Sequence, residues 1–350
     1  MISRRDFSKS MLTAGAGLLA ASEAVAAAAP ASAPNTDPGR PGAPSKGRVT
    51  KVRGLIHTPP TPFTPDNRID TDTFQKLADF MIRHGADAFA HPMHIGEALT
   101  LMPDERRFIA KLTVEAVNGR VPVIIHTSAT GTDEVVALSQ YAQSVGVDAV
   151  ISTTPYYWHP PAIGVTEHFV KLGSSIDIPF FAYHNEKAGP LPTSILPEII
   201  RRCPNFIGLK EASIGARYLA EATRVTQSLR PEFGVFAGAE YTLYTMPAGG
   251  AGCYSPTGYI APRLVRSLVD ACVAGDYKKA LPLQLKVSEL TTILAEFYTY
   301  SSSMAAMEIM WRPCGKPRLP IPTLSVDDMK RLEARLAEGG FLDSEPHGWT

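Results

Sequence analysis

The chain has 350 residues, of which 45% are hydrophobic and 19% are charged, and this composition supports a sizeable folded core. It excludes an intrinsically disordered chain and a collagen-like repeat. The 34 basic residues balance the 34 acidic ones, and no long run of Lys or Arg offers a surface for phosphate backbones, so nucleic acid is not expected as a partner.

The first residues have the layout of an export signal. A charged start precedes an apolar run at residues 11–21, and small residues follow it. The string SRRDFSK at residues 3–9 resembles the twin-arginine signal, whose cargo usually crosses the membrane already folded. We therefore predict a twin-arginine signal peptide at residues 1–26, export to the periplasm or the cell exterior, and no stable membrane insertion. Residues 27–48, rich in Ala, Pro and Gly, are predicted to form a flexible linker.

Downstream of the linker, short apolar runs alternate with longer segments of helical periodicity. Strands are predicted at residues 53–56, 86–90, 121–126, 148–152, 179–183, 206–210, 234–237 and 252–255. Helices are predicted at residues 71–84, 103–117, 133–145, 165–173, 193–202, 216–229, 241–248 and 262–274. Eight strand–helix pairs in roughly 220 residues favour an α/β fold, a closed (β/α)8 TIM barrel, over an open doubly wound sheet. We assign the barrel to residues 49–275 and an appended C-terminal helical region to residues 276–350.

Chemically reactive side chains stand at the predicted strand ends, where barrels of this type build their active sites. Lys210 ends an otherwise apolar strand, and a buried charge there is costly unless it is used. Desolvation would lower the pKa of its amine, and a neutral amine can form a Schiff base with a carbonyl compound. A structural ion pair with a neighbouring glutamate explains the position equally well. Tyr183 ends the preceding strand, where its phenol could transfer protons or could simply be buried with a satisfied hydroxyl.

Several ordered motifs resemble the dihydrodipicolinate synthase and N-acetylneuraminate lyase family of Schiff-base aldolases. They are TPPTPF at 58–63, Gly96-Glu97, TPYY at 154–157, Tyr183, GLKEA at 208–212 and GGAG at 249–252. The resemblance implies that Lys210 forms the imine, that Tyr183 transfers protons, and that Tyr157 belongs to the relay, reaching across a subunit contact in some members. It also implies a homo-oligomer, either a dimer or a tetramer, that uses neither a metal nor an organic cofactor. The substrate-binding positions expected from it are Thr61, Ile95, Gly96, Gly238 and Ser255.

The chain departs from this family in the loop after the second predicted strand. The family's Gly-Thr-Thr-Gly-Glu stands here as MHIGE at residues 93–97, so both hydroxyl residues are absent. In the family the first hydroxyl belongs to the proton relay, and the second helps to hold the carboxylate of a 2-oxo acid such as pyruvate. His94 could replace the first as a titratable relay residue, whereas Ile95 offers only its backbone amide. Recognition of pyruvate therefore stays open.

A second departure concerns the segment after Tyr183. The arginine that binds a second carboxylate in the synthase branch has no match near Lys187 and Ala188. Together with export, which would separate the enzyme from lysine biosynthesis in the cytosol, this absence argues against dihydrodipicolinate synthase itself.

Two other functions compete with the aldolase interpretation. The spacing of His91, His94 and Glu97 could assemble a divalent metal site for a hydrolase, together with the histidines at other strand ends, His57, His126 and His184. This spacing matches no zinc signature, however, and a metal site leaves Lys210 and the two tyrosines without roles. Loss of the two hydroxyls could also have produced an exported, non-catalytic binding protein for an oxo acid or a sugar acid. We predict a Schiff-base lyase, of the aldolase or hydratase-aldolase type, acting on a 2-oxo acid or a related small carbonyl compound.

Overall fold

A computed structural model of the chain describes residues 52–213 and 215–349. The predicted signal peptide at 1–26 and the linker at 27–48 lie outside the described residues. Within them, eight parallel strands form a closed barrel in sequence order, and the last strand pairs with the first. The predicted (β/α)8 barrel with C-terminal helices is confirmed. Among the described helices, none combines the length and the apolar character needed to cross a membrane.

The strands and helices alternate along the chain. The strands are β1 Gly54–His57, β2 Ala88–His91, β3 Val123–His126, β4 Ala149–Thr153, β5 Phe180–His184, β6 Phe206–Glu211, β7 Gly234–Ala237 and β8 Gly252–Ser255. The barrel helices are α1 Thr71–Arg83, α2 Pro103–Val117, α3 Thr132–Ser144, α4 Ala162–Ser175, α5 Leu196–Arg202, α6 Ala216–Leu229, α7 Thr242–Thr245 and α8 Pro262–Val273. The C-terminal helices are α9 Tyr277–Ala295, α10 Thr299–Ile309, α11 Val326–Glu338 and α12 Phe341–Ser344.

The predicted boundaries differ from the observed ones mainly at prolines. β3 begins at Val123 because Pro122 has no N–H for the strand ladder, although its carbonyl accepts from Phe89 N at 2.9 Å. α4 begins at Ala162, before the apolar periodicity does, because Pro161 is a favourable residue at the start of a helix. The predicted helix at 241–248 is interrupted at Pro247, and its second part is a short 3₁₀ helix, Met246–Ala248.

Alternate residues of each strand face the interior of the barrel, here called the lumen, as the two-residue period of a strand requires. The lumen is filled with buried side chains, and its larger members are Ile56, Ile124, Ile151, Phe181, Tyr183, Phe236 and Tyr254. Packing is tight enough that a Cβ at Gly208 would lie 2.7 Å from the Phe181 ring. The lumen is therefore a packed core, and polar groups that point into it sit in a low-dielectric environment.

The C-terminal region is fixed to the barrel by buried arginine contacts. The fully buried Arg312 donates to the carbonyls of Tyr259 and Ile260, both at 3.1 Å, and its guanidinium lies 4.4 Å from the centroid of the Phe80 ring. Arg318 donates its backbone N–H to Glu97 Oε2 at 2.9 Å, next to the altered 93–97 loop. The segment between α10 and α11 thus contacts two loops that follow barrel strands.

Candidate active site

Lys210 is the buried amine at the carboxyl end of the barrel. It lies on β6, pairs with Tyr183 in the ladder to β5, and is 4% exposed. Burial lowers the pKa of its amine from 10.5 to about 7, while the Glu240 carboxylate acts weakly in the opposite direction. Among the described residues, no carboxylate forms an ion pair with it. The structural ion pair considered from the sequence is therefore not formed, and much of the amine is neutral near pH 7.

Two tyrosine rings flank this amine. The Lys210 nitrogen lies 3.9 Å from the centroid of the Tyr183 ring and 5.3 Å from that of the Tyr254 ring. Aromatic faces attract a cation at these distances, so the protonated amine keeps some stabilisation despite its burial. The sequence predicts Tyr183 from its strand end, whereas no motif indicates Tyr254. The only sequence signal for Tyr254 is its place in the two-residue alternation of β8.

His94 is hydrogen-bonded to Tyr183, with 2.9 Å between its Nδ1 and the phenol oxygen. Burial raises the pKa of Tyr183 and lowers the pKa of His94 to about 4, with the nearby Lys210 lowering the latter further. At neutral pH the phenol is therefore protonated and the imidazole is neutral. It follows that the Tyr183 hydroxyl donates and His94 Nδ1 accepts. This geometry supports the predicted relay role of His94.

A second imidazole, predicted only as a possible metal ligand and not as a catalytic or substrate-binding residue, stands beside this pair. The His126 ring centroid lies 6.1 Å from the centroids of both His94 and Tyr183, and its Nε2 is 2.6 Å from Ser128 Oγ. Burial lowers the pKa of His126 well below its ordinary value, so it is neutral too. Its position at the end of β3 was the available sequence signal.

A cavity of about 200 Å³ opens beside the two imidazoles. Its polar lining includes His94, His126, Ser128, Thr153 and Tyr156. Tyr157 contributes to its outer wall, where its side chain is 75% exposed and packs edge-on against Trp158. Within one chain, Tyr157 thus lies at the rim of the cavity, and it makes no hydrogen bond to Tyr183 in the described part of the chain.

The five predicted substrate-binding residues surround the site, and three of them have partners within the protein. The Thr61 hydroxyl donates to the Gly96 carbonyl at 2.5 Å and so fixes the 93–97 loop. Ser255 Oγ donates to Glu240 Oε1 at 2.5 Å and accepts from Gly258 N at 3.0 Å. At Gly238, a Cβ would lie 2.5 Å from Ala212, so only glycine lets the chain after β7 approach the end of β6. These contacts give all three residues a structural function, and direct contact with a substrate stays a prediction.

Ile95 and Gly96 differ from the other three predicted substrate-binding residues in having unpaired backbone N–H groups. The Ile95 side chain is buried in the core outside the lumen. In the described part of the chain, no acceptor takes the backbone N–H of either residue. These two amides are therefore unpaired among the described residues, and the binding of a substrate by Ile95 stays a prediction.

The three residues of the possible metal motif do not converge. His91 lies outside the lumen, with its ring 4.9 Å from that of Phe74 and its Nε2 3.2 Å from Thr61 Oγ1. His94 contacts Tyr183, whereas Glu97 accepts from Arg318 N. Residues 52–213 and 215–349 contain no group of three His, Cys, Asp or Glu side chains arranged to hold a metal ion. The metal-hydrolase alternative thus lacks its ligand set here.

The chain is similar to known proteins over most of its length. A model of the dihydrodipicolinate synthetase family matches residues 51–338. The 4-hydroxy-tetrahydrodipicolinate synthase of Thermoanaerobacter sp. is 31% identical over 286 residues, which cover 81% of this chain and 95% of that protein. The crystal structure of dihydrodipicolinate synthase from Aquifex aeolicus matches with a TM-score of 0.78 and 25% identity, covering 83% of this chain and 98% of that one. The crystal structure of a prophage protein of E. coli from the dihydrodipicolinic acid synthase family, in complex with pyruvate, matches with a TM-score of 0.79 and 25% identity. The match covers 83% of this chain and 99% of that one.

Proposed function

The chain belongs to the dihydrodipicolinate synthetase family and is a lyase of the class I aldolase type, and we propose that it acts on a 2-oxo acid or a related small carbonyl compound through an imine on Lys210. The observation that carries this assignment of roles is the buried amine of Lys210, which has a pKa of about 7 and lies against the ring of Tyr183. A neutral amine in a dry site is the form that attacks a carbonyl carbon.

The proposed reaction begins with addition of the Lys210 amine to the carbonyl group. The N–C bond forms as the π electrons of the C=O bond move to oxygen, which takes a proton from the Tyr183 hydroxyl. The attacking nitrogen gives a proton to the Tyr183 oxygen, which restores the phenol and leaves a neutral carbinolamine. The carbinolamine hydroxyl then takes a proton from Tyr183 and departs as water, Tyr183 regains a proton from the cavity through His94, and the product is the protonated imine. The protonated imine then withdraws electrons from the neighbouring carbon, so that a bond to that carbon can break or form.

His94 connects Tyr183 to the cavity in this proposal. Its Nδ1 accepts from the phenol, and the residue lines the cavity. Because the imidazole is neutral above pH 4, it can take a proton at one nitrogen and release one from the other without leaving a stable charge in the lumen. We assign it the relay role that a hydroxyl residue holds in the family motif.

Pyruvate is the first substrate to test. The E. coli relative was solved in complex with pyruvate. In this chain the backbone N–H groups of Ile95 and Gly96, unpaired among the described residues, could donate to the carboxylate, whereas the 93–97 loop offers no hydroxyl for it. We therefore expect weak pyruvate binding, and aldehydes and longer 2-oxo acids belong in the same panel.

Reduction with borohydride tests the imine directly. The purified protein is incubated with each compound, reduced, and examined by intact-mass spectrometry and peptide mapping. We expect the mass of one reduced adduct per chain, located on Lys210. Lys187, at the cavity rim, is the internal control, and an adduct there in place of Lys210 would contradict the proposal.

The rate of this trapping should depend on pH in a defined direction. Only the neutral amine reacts, and the pKa of Lys210 is about 7. The rate should therefore rise with pH, reach half of its maximum near pH 7, and be about 100-fold lower at pH 5 than at pH 9. Single-turnover trapping between pH 5 and 11 measures this dependence. A half-maximum near pH 10 would show that the amine keeps its ordinary pKa and would contradict the desolvated site.

We also propose that the protein is exported and assembles into a dimer or a tetramer. Export is supported by the twin-arginine string at residues 3–9, and replacing Arg4 and Arg5 by lysine should keep the protein in the cytosol on cell fractionation.

Assembly is supported by the exposed aromatic side chains of Tyr157 and Trp158, 75% and 79% exposed, beside the cavity. Light scattering measures the oligomer, and a monomer at micromolar concentration would contradict it.

A further inference from the structure

Tyr254 places a second phenol in the lumen beside the reactive amine. It is fully buried in the middle of β8, and its ring centroid lies 5.3 Å from the Lys210 nitrogen. Its ring is held edge-on by two others, with centroid distances of 5.6 Å to Phe236 and 6.5 Å to Phe181. This packing fixes the tyrosine in the lumen and keeps its hydroxyl from turning to solvent.

The hydroxyl of Tyr254 is buried, and no group in the described part of the chain forms a hydrogen bond with it. Burial keeps the pKa of this phenol well above its ordinary value, so the hydroxyl carries its proton and can act as a donor. Buried polar groups are rarely left unpaired, because an unmade hydrogen bond there costs stability. Such a donor next to a reactive nitrogen therefore calls for a functional explanation.

The other polar groups that face the amine each have at least one hydrogen bond, although His126 Nδ1 and Glu240 Oε2 have no partner among the described residues. Tyr183 on β5 donates to His94 from the loop after β2, and His126 at the end of β3 pairs with Ser128. Glu240, after β7, accepts at Oε1 from Ser255. Of the two tyrosines whose rings flank the amine, only Tyr254 keeps its hydroxyl uncommitted among the described residues.

We propose that the Tyr254 hydroxyl donates a hydrogen bond to the oxygen of the carbonyl adduct at Lys210, which makes Tyr254 a catalytic residue of the imine-forming step. This inference rests on the proposed imine chemistry. As the N–C bond forms and the C=O π electrons move to oxygen, that oxygen gains negative charge and takes its proton from Tyr183. Tyr254 keeps its own proton and stabilises the charge through the hydrogen bond, as donors do in an oxyanion hole.

The test compares the rate of borohydride trapping in the wild type and in Tyr254→Phe, with the compound that labels the wild type best. The substitution removes the hydroxyl and keeps the ring against Lys210. We expect trapping to slow about 100-fold, which is the effect of losing one oxyanion donor. The half-maximal pH should stay near 7, because burial sets the amine pKa. Tyr259→Phe is the matched control, since Tyr259 is also fully buried but lies in the core outside the lumen.

The possible outcomes separate this inference from the proposed function. A wild type that no compound labels on Lys210 contradicts both. A labelled wild type with an equally fast Tyr254→Phe variant shows that the hydroxyl only fills space in the lumen. If the half-maximal pH moves while the plateau rate stays the same, Tyr254 affects the protonation of the Lys210 amine. That outcome overturns its proposed role in stabilising the adduct.

A second variant tests the proposal even if Tyr254→Phe fails to fold. Incorporating 3-fluorotyrosine at position 254 keeps the ring and makes the hydroxyl a stronger donor, so trapping should become faster than in the wild type. An unchanged rate in this protein would overturn the proposal even if Tyr254→Phe could not be purified.

Discussion

Lys210→Ala abolishes turnover and leaves the barrel folded: this is the largest effect expected from any substitution in the chain. The nitrogen that forms the imine is lost, so kcat/KM should fall by more than about 1,000-fold, and borohydride should attach no adduct at position 210. The fold should persist because the buried amine forms no ion pair among the described residues, and removing a partly charged group from the lumen relieves a desolvation cost. Steady-state kinetics measures the loss of kcat/KM, and thermal unfolding measures whether the barrel stays folded.

Lys76→Ala is the matched control for this prediction. Lys76 is exposed on α1, so its loss should change neither kcat/KM nor thermal stability. Full activity of Lys210→Ala would show that the reaction does not pass through an imine on this residue. An inactive variant that had also lost its cooperative unfolding transition would instead indicate a structural role for Lys210.

Tyr183→Phe should give the second-largest effect, with kcat lower by about 100-fold to 1,000-fold. The substitution removes the hydroxyl that gives its proton to the adduct and that donates to His94 at 2.9 Å. The ring stays against Lys210, so the amine keeps its surroundings and the imine should still form, only more slowly. Stopped-flow kinetics and intact-mass spectrometry after reduction distinguish slow formation from no formation.

Tyr218→Phe provides the comparison for Tyr183→Phe. The Tyr218 hydroxyl donates to the Leu191 carbonyl at 2.8 Å from helix α6, outside the lumen. Its removal should lower stability slightly and leave kcat unchanged. If both variants lost activity to the same extent, the effect of Tyr183→Phe would reflect a general loss of packing and not a missing proton donor.

Lys210 and Tyr183 were accessible from the sequence for a simple reason. Each ends a short apolar run, and in a parallel barrel all strand ends of one polarity meet at the same face. Their contact, with 3.9 Å between the amine and the ring centroid, follows from the pairing of β5 with β6. Neighbouring strands in sequence are neighbours in the barrel, so adjacency along the chain was enough to predict adjacency in space.

Other parts of the site depended on contacts between distant segments. The spacing of His91, His94 and Glu97 suggests a shared site, but β2 directs His91 away from the lumen, whereas the following loop turns His94 into contact with Tyr183. Likewise, the hydroxyls of Thr61 and Ser255 resemble ligand-binding groups in the sequence. In the structure they donate to Gly96 and Glu240.

The amino-acid sequence by itself determined the alternation of strands and helices, the closed barrel, and the strand ends that carry the lysine and the tyrosine. These properties follow from local periodicity and from the order of elements along the chain. Only the tertiary structure decided which polar groups form hydrogen bonds within the protein and which, like the Tyr254 hydroxyl, stay unpaired in the described part of the lumen. The physical reason is that a hydrogen-bond partner or a desolvated surrounding comes from segments far apart in sequence, and these meet only when the barrel closes.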